Sequence, residues 1–186
     1  MEVRDLWPLT LIEMGVSKFH PFIIILGLLE KYLYKRANGI IVVPPKAKDY
    51  IIQFSIPQDR ITYIPNGTDL ERFNITSESN IRDRKLKLLY VGAMNKANGL
   101  ENVLLAAKLL RDLPIIVDLV GEGMEKENLT RLKERESINN VNILNGVPKS
   151  EVPKILMDAD ALLHIEMDLP SSQFGGSPNK LFDYLS

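Results

Sequence analysis

The residues best suited to chemistry close the chain, in Ser172-Gln-Phe-Gly-Gly-Ser-Pro-Asn-Lys-Leu-Phe-Asp-Tyr-Leu-Ser186. Gly175 and Gly176 allow the backbone to bend closely around a ligand, Ser177 suits a helix N-cap, and Pro178 suits the first helical position, followed by Asn179. The free N–H groups of that first turn, the positive end of the helix dipole and the charge of Lys180 together describe an anion site, with a phosphate-bearing ligand as its natural guest. The same residues also compose an ordinary capped helix with a chance lysine, and the sequence leaves both readings open. A second cluster opens the chain, where Glu2, Arg4 and Asp5 stand beside Trp7 and Pro8. It reads either as a site at the end of a short strand or as a solvated loop with Trp7 packed below it.

These residues need a scaffold, and the hydrophobic pattern supplies one. A helix is expected over 21–37, apolar first and then basic through Lys31, Lys35 and Arg36. It either buries its apolar face or meets anionic lipid head groups. A β-branched run at 39–43, a helix at 45–53 and a strand at 61–64 make one βαβ unit. A polar stretch follows, and residues 67–85 read as a linker between a first domain at 1–66 and a second at 86–186. The second domain alternates strands at 87–91, 115–120, 141–144 and 161–165 with helices at 100–112, 125–136 and 150–157, then the glycine loop and a last helix. That alternation specifies parallel sheets with right-handed crossovers, on which ligands bind at the carboxyl ends of the strands. Those ends carry residues 92–99, 121–123, 145–147 and 166–179, and the glycines in these loops suggest that something approaches the backbone closely.

Composition removes several classes. Among 186 residues, 23 Lys plus Arg nearly balance 24 Asp plus Glu, so no basic surplus marks a nucleic-acid binder. The absence of cysteine excludes disulfides and thiolate metal sites, and a cytoplasmic protein is expected. The longest apolar run, residues 22–29, is too short to span a bilayer, and three glycosylation sequons at Asn66, Asn74 and Asn128 read as chance without a secretory signal. Gly121-Glu-Gly123 lacks the third glycine of a dinucleotide fingerprint, since Lys126 stands there, and no Walker A sequence occurs. Asp158 and Asp160 match a metal-binding carboxylate pair but fall between a helix and a buried strand, which favours a structural turn and no metal site. Glu166 and Asp168 read as ligand-orienting groups or as solvated charges, His164 as a core or rim histidine, and His20 carries little information.

In order along the chain, Ile64-Pro-Asn-Gly-Thr-Asp69 with Phe73, Leu89-Tyr-Val-Gly92, Lys96-Ala-Asn-Gly-Leu100, Leu119-Val-Gly-Glu-Gly123, Gly146-Val147 and Ser177-Pro-Asn-Lys-Leu-Phe-Asp-Tyr184 form a specific set. The set resembles the retaining glycosyltransferases of family 4, within them the bacterial enzymes that add N-acetylated aminosugars such as N-acetylfucosamine in O-antigen or capsule assembly. Residues 2–8 are similar to a loop of that subgroup. The resemblance implies a GT-B fold: two Rossmann-like α/β domains with parallel sheets, the second holding a nucleotide-sugar donor, expected to be a UDP-sugar, without a metal or other cofactor. It implies that Gly92, Lys96, Asn98 and Gly99 face the donor phosphates and sugar and that Gly121 belongs to the same cradle. It further implies that Val147 lies near the nucleobase, that Gly176, Ser177, Pro178, Asn179 and Lys180 wrap the pyrophosphate, and that Asp183 takes the place of the second glutamate of a paired-glutamate motif. Arg4 and Asp5 would position the acceptor or the reacting sugar.

Departures from the family pattern are Ala93 and Asn98, where an arginine and a lysine are usual, and Gly175, where the first glutamate would stand. Lys96 and Lys180 are the expected substitutes. The family's enzymes run to about twice this length, so both domains are expected to be incomplete and the first to leave apolar surface uncovered. The implied activity is transfer with retention to a lipid-linked saccharide at the inner membrane face, with peripheral membrane contact through the helix at 22–36. A non-catalytic Rossmann-like module that binds phosphate is the competing class. A sugar-nucleotide epimerase is disfavoured by the missing carboxylates and histidines for proton transfer.

Overall fold

The computed structural model describes residues 1–73 and 85–186; the expected linker at 67–85 falls, for its residues 74–84, outside the described residues, as does the sequon at Asn74. The chain is α/β and forms two compact units, one of residues 1–67 and 168–179, the other of residues 68–167 and 180–186. Residues 168–179, assigned by the sequence reading to the second domain, cluster with the first unit. The reason is local packing: the Phe174 ring meets Tyr50 edge-on at 5.7 Å, and its carbonyl accepts the Lys46 N–H at 2.8 Å.

The first unit holds a parallel sheet in the order β1 (Glu2–Val3), β2 (Ile40–Val42) and β3 (Ile61–Tyr63). Val3, Ile40, Val42 and Ile61 from the strands pack with Leu6, Tyr34, Ala47, Ile51 and Ile56. Helices α1 (Leu9–Glu13), α2 (Pro21–Arg36) and α3 (Ala47–Ile51) complete it. His20 has a function that the sequence did not disclose: its Nδ1 accepts the Phe22 N–H at 3.2 Å and caps α2, with Pro21 at the first helical position. Helix α2 buries only Ile23, Glu30 and Tyr34 and leaves Phe22, Ile25, Leu28 and Tyr32 exposed. The buried Glu30 carboxylate accepts the hydroxyls of Tyr34 at 3.0 Å and Tyr50 at 3.3 Å; burial raises its pKa and the two phenols oppose the rise.

The second unit is a parallel sheet ordered β6-β5-β4-β7, made of β4 (Leu86–Val91), β5 (Ile115–Val120), β6 (Val141–Leu144) and β7 (Ala161–Leu162). Strand alternation separates two cores. Tyr90, Val117, Leu119 and Val141 face one side, where α4 (Leu100–Leu109) presents Leu100, Leu104 and Ala107 at i, i+4 and i+7, and α5 (Lys126–Arg135) presents Leu129 and Leu132. On the other side Leu89 and Val120 meet Leu156 of α6 (Val152–Met157) and Tyr184 of α7 (Asn179–Tyr184). With both faces covered, the strands are mostly apolar, interrupted by Lys87, Asp118 and Asn142.

Strand β7 is shorter than the expected 161–165, because the chain then leaves the ladder and the Met167 N–H goes to the Ala97 carbonyl at 2.9 Å. Asp158 and Asp160 have the structural task expected of them. Asp158 pairs with Lys87 Nζ at 2.8 Å, and Asp160 accepts the Lys87 N–H at 2.7 Å. Leu104 contributes a side chain with no exposure to the larger core. Leu104→Ala is therefore expected to lower the free energy of unfolding by about 2–5 kcal/mol in a urea titration.

Candidate functional site

The chemistry gathers where α7 meets the carboxyl end of β4. Lys180, Asp183 and Tyr184 are spaced i, i+3 and i+4, which places them on one helix face. The Tyr184 hydroxyl accepts the Val91 N–H at 2.9 Å and donates to the Val91 carbonyl at 3.3 Å, fixing the helix to the end of the strand. The Asp183 carboxylate accepts the Thr68 hydroxyl at 2.7 Å. Lys180 extends its Nζ to 3.0 Å from Asn98 Oδ1 and 3.2 Å from the Tyr90 hydroxyl, 4.6 Å above the Tyr90 ring.

Two further bonds organise this seat. The Tyr90 hydroxyl donates to the Ala93 carbonyl at 2.7 Å, and the Asn98 side-chain amide donates to the same carbonyl at 2.8 Å. With those protons committed, a phenol lone pair and the Asn98 oxygen face the ammonium. Among the described residues Lys180 has no ion-pair partner, and its contacts are neutral oxygens and a ring face. Burial lowers its pKa below the ordinary lysine value, while the charge of Glu166 opposes the fall. A partly desolvated cation without an adjacent carboxylate is suited to receive an anion.

Several of the glycines have protein backbone or side chain as a close neighbour. A Cβ on Gly121 would stand 1.8 Å from the Gly92 carbonyl oxygen, and one on Gly123 would stand 2.4 Å from the Met94 carbonyl oxygen. The backbone approaching Gly121 is the loop after β4, and the two loops are bound by Met94 N–H to the Glu122 carbonyl at 2.8 Å. Gly175 has φ 75°, and a Cβ there would lie 2.6 Å from the Pro45 ring; its close neighbour is also protein. Ser177 was expected to cap the last helix, but α7 begins at Asn179, after Pro178, and the Ser177 hydroxyl accepts the Asn66 N–H at 3.0 Å. The Asn66 side-chain amide donates to the Ser177 carbonyl, and Asn66 Oδ1 accepts from Arg4 at 3.3 Å.

The other expected residues are distributed as follows. Arg4, Asp5, Gly176, Ser177, Pro178 and Asn179 belong to the first unit. Gly92, Asn98, Lys180 and Asp183 belong to the second and cluster at the end of β4. Lys96 and Gly99 line a separate cleft of about 500 Å³ with Asn102, Asn128, Arg131 and Met167, so Lys96 is not joined to Lys180. Val147 packs beside Val120 and Leu156 on the α6 side of the sheet. His164 is a rim residue, with Nε2 3.5 Å from Glu166 Oε1. Trp7 is exposed and not packed below its loop. Tyr90 and Thr68 were not singled out. The signal available for Tyr90 was a tyrosine set in an apolar strand two residues before a glycine. Among the described residues no group of three or more His, Asp or Glu side chains is placed to hold a metal.

Comparison with known proteins agrees with this architecture. The family described as Glycosyl transferases group 1 matches residues 71–170, and Glycosyltransferase Family 4 matches residues 12–72. The chain is 25% identical over 144 residues to WcaI of Escherichia coli (strain K12), named for colanic acid biosynthesis, covering 73% of this chain and 35% of that protein. It is 26% identical over 141 residues to an uncharacterized glycosyltransferase of Methanocaldococcus jannaschii, covering 72% and 36%. The chain thus spans about a third of the length of these relatives. The solved structure of WaaG, a glycosyltransferase of lipopolysaccharide biosynthesis, matches with a TM-score of 0.72 at 16% identity, over 90% of this chain and 50% of that one. Anabaena HepE in complex with UDP and glucose matches with a TM-score of 0.63 at 17% identity, over 89% and 45%. The fold is accordingly that of the GT-B glycosyltransferases.

Because a methyl group on Gly121 would overlap the Gly92 carbonyl, Gly121→Ala is expected to lower stability by about 2 kcal/mol or more. Chemical denaturation measures the loss, which open space at that position would not produce.

Proposed function

The chain belongs to the group 1 glycosyl transferases, and on that premise we propose that it takes part in transfer of a sugar, with retention, from a UDP-linked N-acetyl aminosugar to a lipid-linked saccharide. The observation that carries the proposal is the Lys180 ammonium, partly buried at the carboxyl end of β4 and in no ion pair among the described residues, with Glu166 acting on it only at longer range. In this reading it receives the donor's phosphates. As the sugar–oxygen bond breaks, charge develops on the leaving β-phosphate oxygen, and a preorganised ammonium in a partly dehydrated site stabilises that charge more than it would in water. No metal is required for that step. Asp183, steadied by Thr68, is assigned to donor hydroxyls. WcaI is named for colanic acid biosynthesis and WaaG is described as involved in lipopolysaccharide biosynthesis, which supports a saccharide acceptor.

Calorimetric titration of the full chain with UDP, with and without EDTA, tests the donor site. Binding is expected to survive EDTA, to weaken about tenfold or more in Lys180→Ala, and to fall as pH rises through the lowered Lys180 pKa. Unchanged affinity in a folded Lys180→Ala variant would remove the proposal's foundation. Binding of UDP-sugars without turnover would favour the non-catalytic module instead.

Helix α2 supports a second element of the reading, peripheral membrane contact. Its exposed Phe22, Ile25, Leu28 and Tyr32 accompany Lys31, Lys35 and Arg36 on the same helix. Sedimentation with phosphatidylglycerol vesicles is expected, reduced by salt and by Ile25→Ser with Leu28→Ser; equal binding to neutral phosphatidylcholine vesicles would count against it.

A further inference from the structure

We infer that Tyr90 is a positioning residue for phosphate binding: its hydroxyl, aimed by the Ala93 carbonyl, holds the Lys180 ammonium in the place where it meets the ligand. The inference rests on the reading of Lys180 as the phosphate-binding cation and adds to it the group that fixes that cation.

Tyr90 is rigid where Lys180 is not. Its ring is fully buried in the core beside Leu100, Leu104 and Leu119, so only the hydroxyl reaches the site. Burial pushes the phenol's pKa up, which keeps it an O–H donor to Ala93 across the working pH range. With the proton directed there, a lone pair is left for Lys180 Nζ at 3.2 Å, and the ring face below adds attraction for the cation. A lysine carries a long, freely rotating stem, and a fixed acceptor limits the positions its charge can occupy. Gly92 keeps the seat open: a Cβ there would lie 3.2 Å from the Tyr90 hydroxyl and 3.7 Å from Lys180 Nζ. A tyrosine kept only for packing would be satisfied by its bond to Ala93 and would have no need of the second contact.

The test is the UDP affinity of the full chain against pH for Tyr90→Phe, Lys180→Ala and the double variant. The titratable groups that act on Nζ are Tyr90 of β4 and Glu166 after β7, while Asp183 and Tyr184 share its helix and bond to Thr68 and Val91; only Tyr90 is changed by Tyr90→Phe. Loss of the phenol oxygen is expected to weaken UDP binding about fivefold to tenfold near neutral pH. It is also expected to move the alkaline midpoint of binding to lower pH, because the charged ammonium loses an acceptor. In the Lys180→Ala background the same change is expected to have no further effect. If Lys180→Ala weakens binding while Tyr90→Phe alters neither affinity nor midpoint, Tyr90 has no positioning role. Weakening that is uniform with pH and equal in both backgrounds would mark Tyr90 as structural only. Unchanged affinity in Lys180→Ala would defeat the phosphate reading itself. Should Tyr90→Phe unfold, 3-fluorotyrosine at position 90 keeps the ring and the hydroxyl. Its fluorine resonance is expected to follow the Lys180 titration and to shift on UDP addition, and a resonance indifferent to both overturns the inference.

Discussion

A lysine ammonium drawn out of water must be surrounded by oxygens, and the carboxyl end of β4 is built around meeting that need for Lys180. The oxygens come from the Tyr90 phenol and the Asn98 amide, and both of those groups place their own protons on the Ala93 carbonyl. One backbone carbonyl therefore orients two acceptors at once. The arrangement holds only if α7 is fixed against the strand, which Tyr184 achieves by bonding both the N–H and the C=O of Val91. Helical spacing then settles the direction of Lys180, because residue 180 lies one turn before residue 184 on the same face.

The sheet imposes the second constraint. Parallel pairing of β4 with β5, from Leu86 opposite Ile115 to Val91 opposite Val120, brings the two strands to their carboxyl ends together. The chain emerging from each must then turn in nearly the same space, and Gly121 beneath the Gly92 carbonyl is the result. Glu122 joins the following loop by accepting the Gly146 N–H at 3.1 Å and Lys126 Nζ at 2.8 Å, contacts that lower its pKa. A glycine pair that resembles half of a dinucleotide fingerprint is here a device for packing adjacent loops. The same chemistry, backbone brought to van der Waals contact, serves loop closure in this protein and ligand approach in others.

The fold of the second unit was legible because its central strands are covered on both faces and its helices carry a regular apolar stripe. Leu100, Leu104 and Ala107 announce α4, and the run from Ile115 to Val120 announces β5. The site was legible in part. Lys180 and Asn98 were recognised, and they do meet, although they are 82 residues apart. Tyr90 was hidden, because a tyrosine in an apolar strand reads as core, and only coordinates reveal where its hydroxyl points. The partners of Ser177 and Gly175 were hidden for a related reason. Capping and positive-φ signals describe the local backbone, while Asn66 and Pro45, which these residues actually meet, are more than 100 residues away.

The departures from the family pattern at 93 and 98 now have a physical meaning. The resemblance places an arginine and a lysine there, two charges on the loop after β4; this chain has Ala93 and Asn98, which carry none. The Lys180 ammonium of α7 reaches the end of β4, and Asn98 and Tyr90 supply its neutral seat. Two flexible charges on a loop would each retain much of their hydration, whereas one ammonium held by fixed dipoles has less water to surrender when an anion arrives. In the proposed function the arrangement would exchange total charge for preorganisation, the property that stabilises developing charge in a partly buried site. Asn98 is on this view no weakened lysine but the group that makes a lysine at 180 effective.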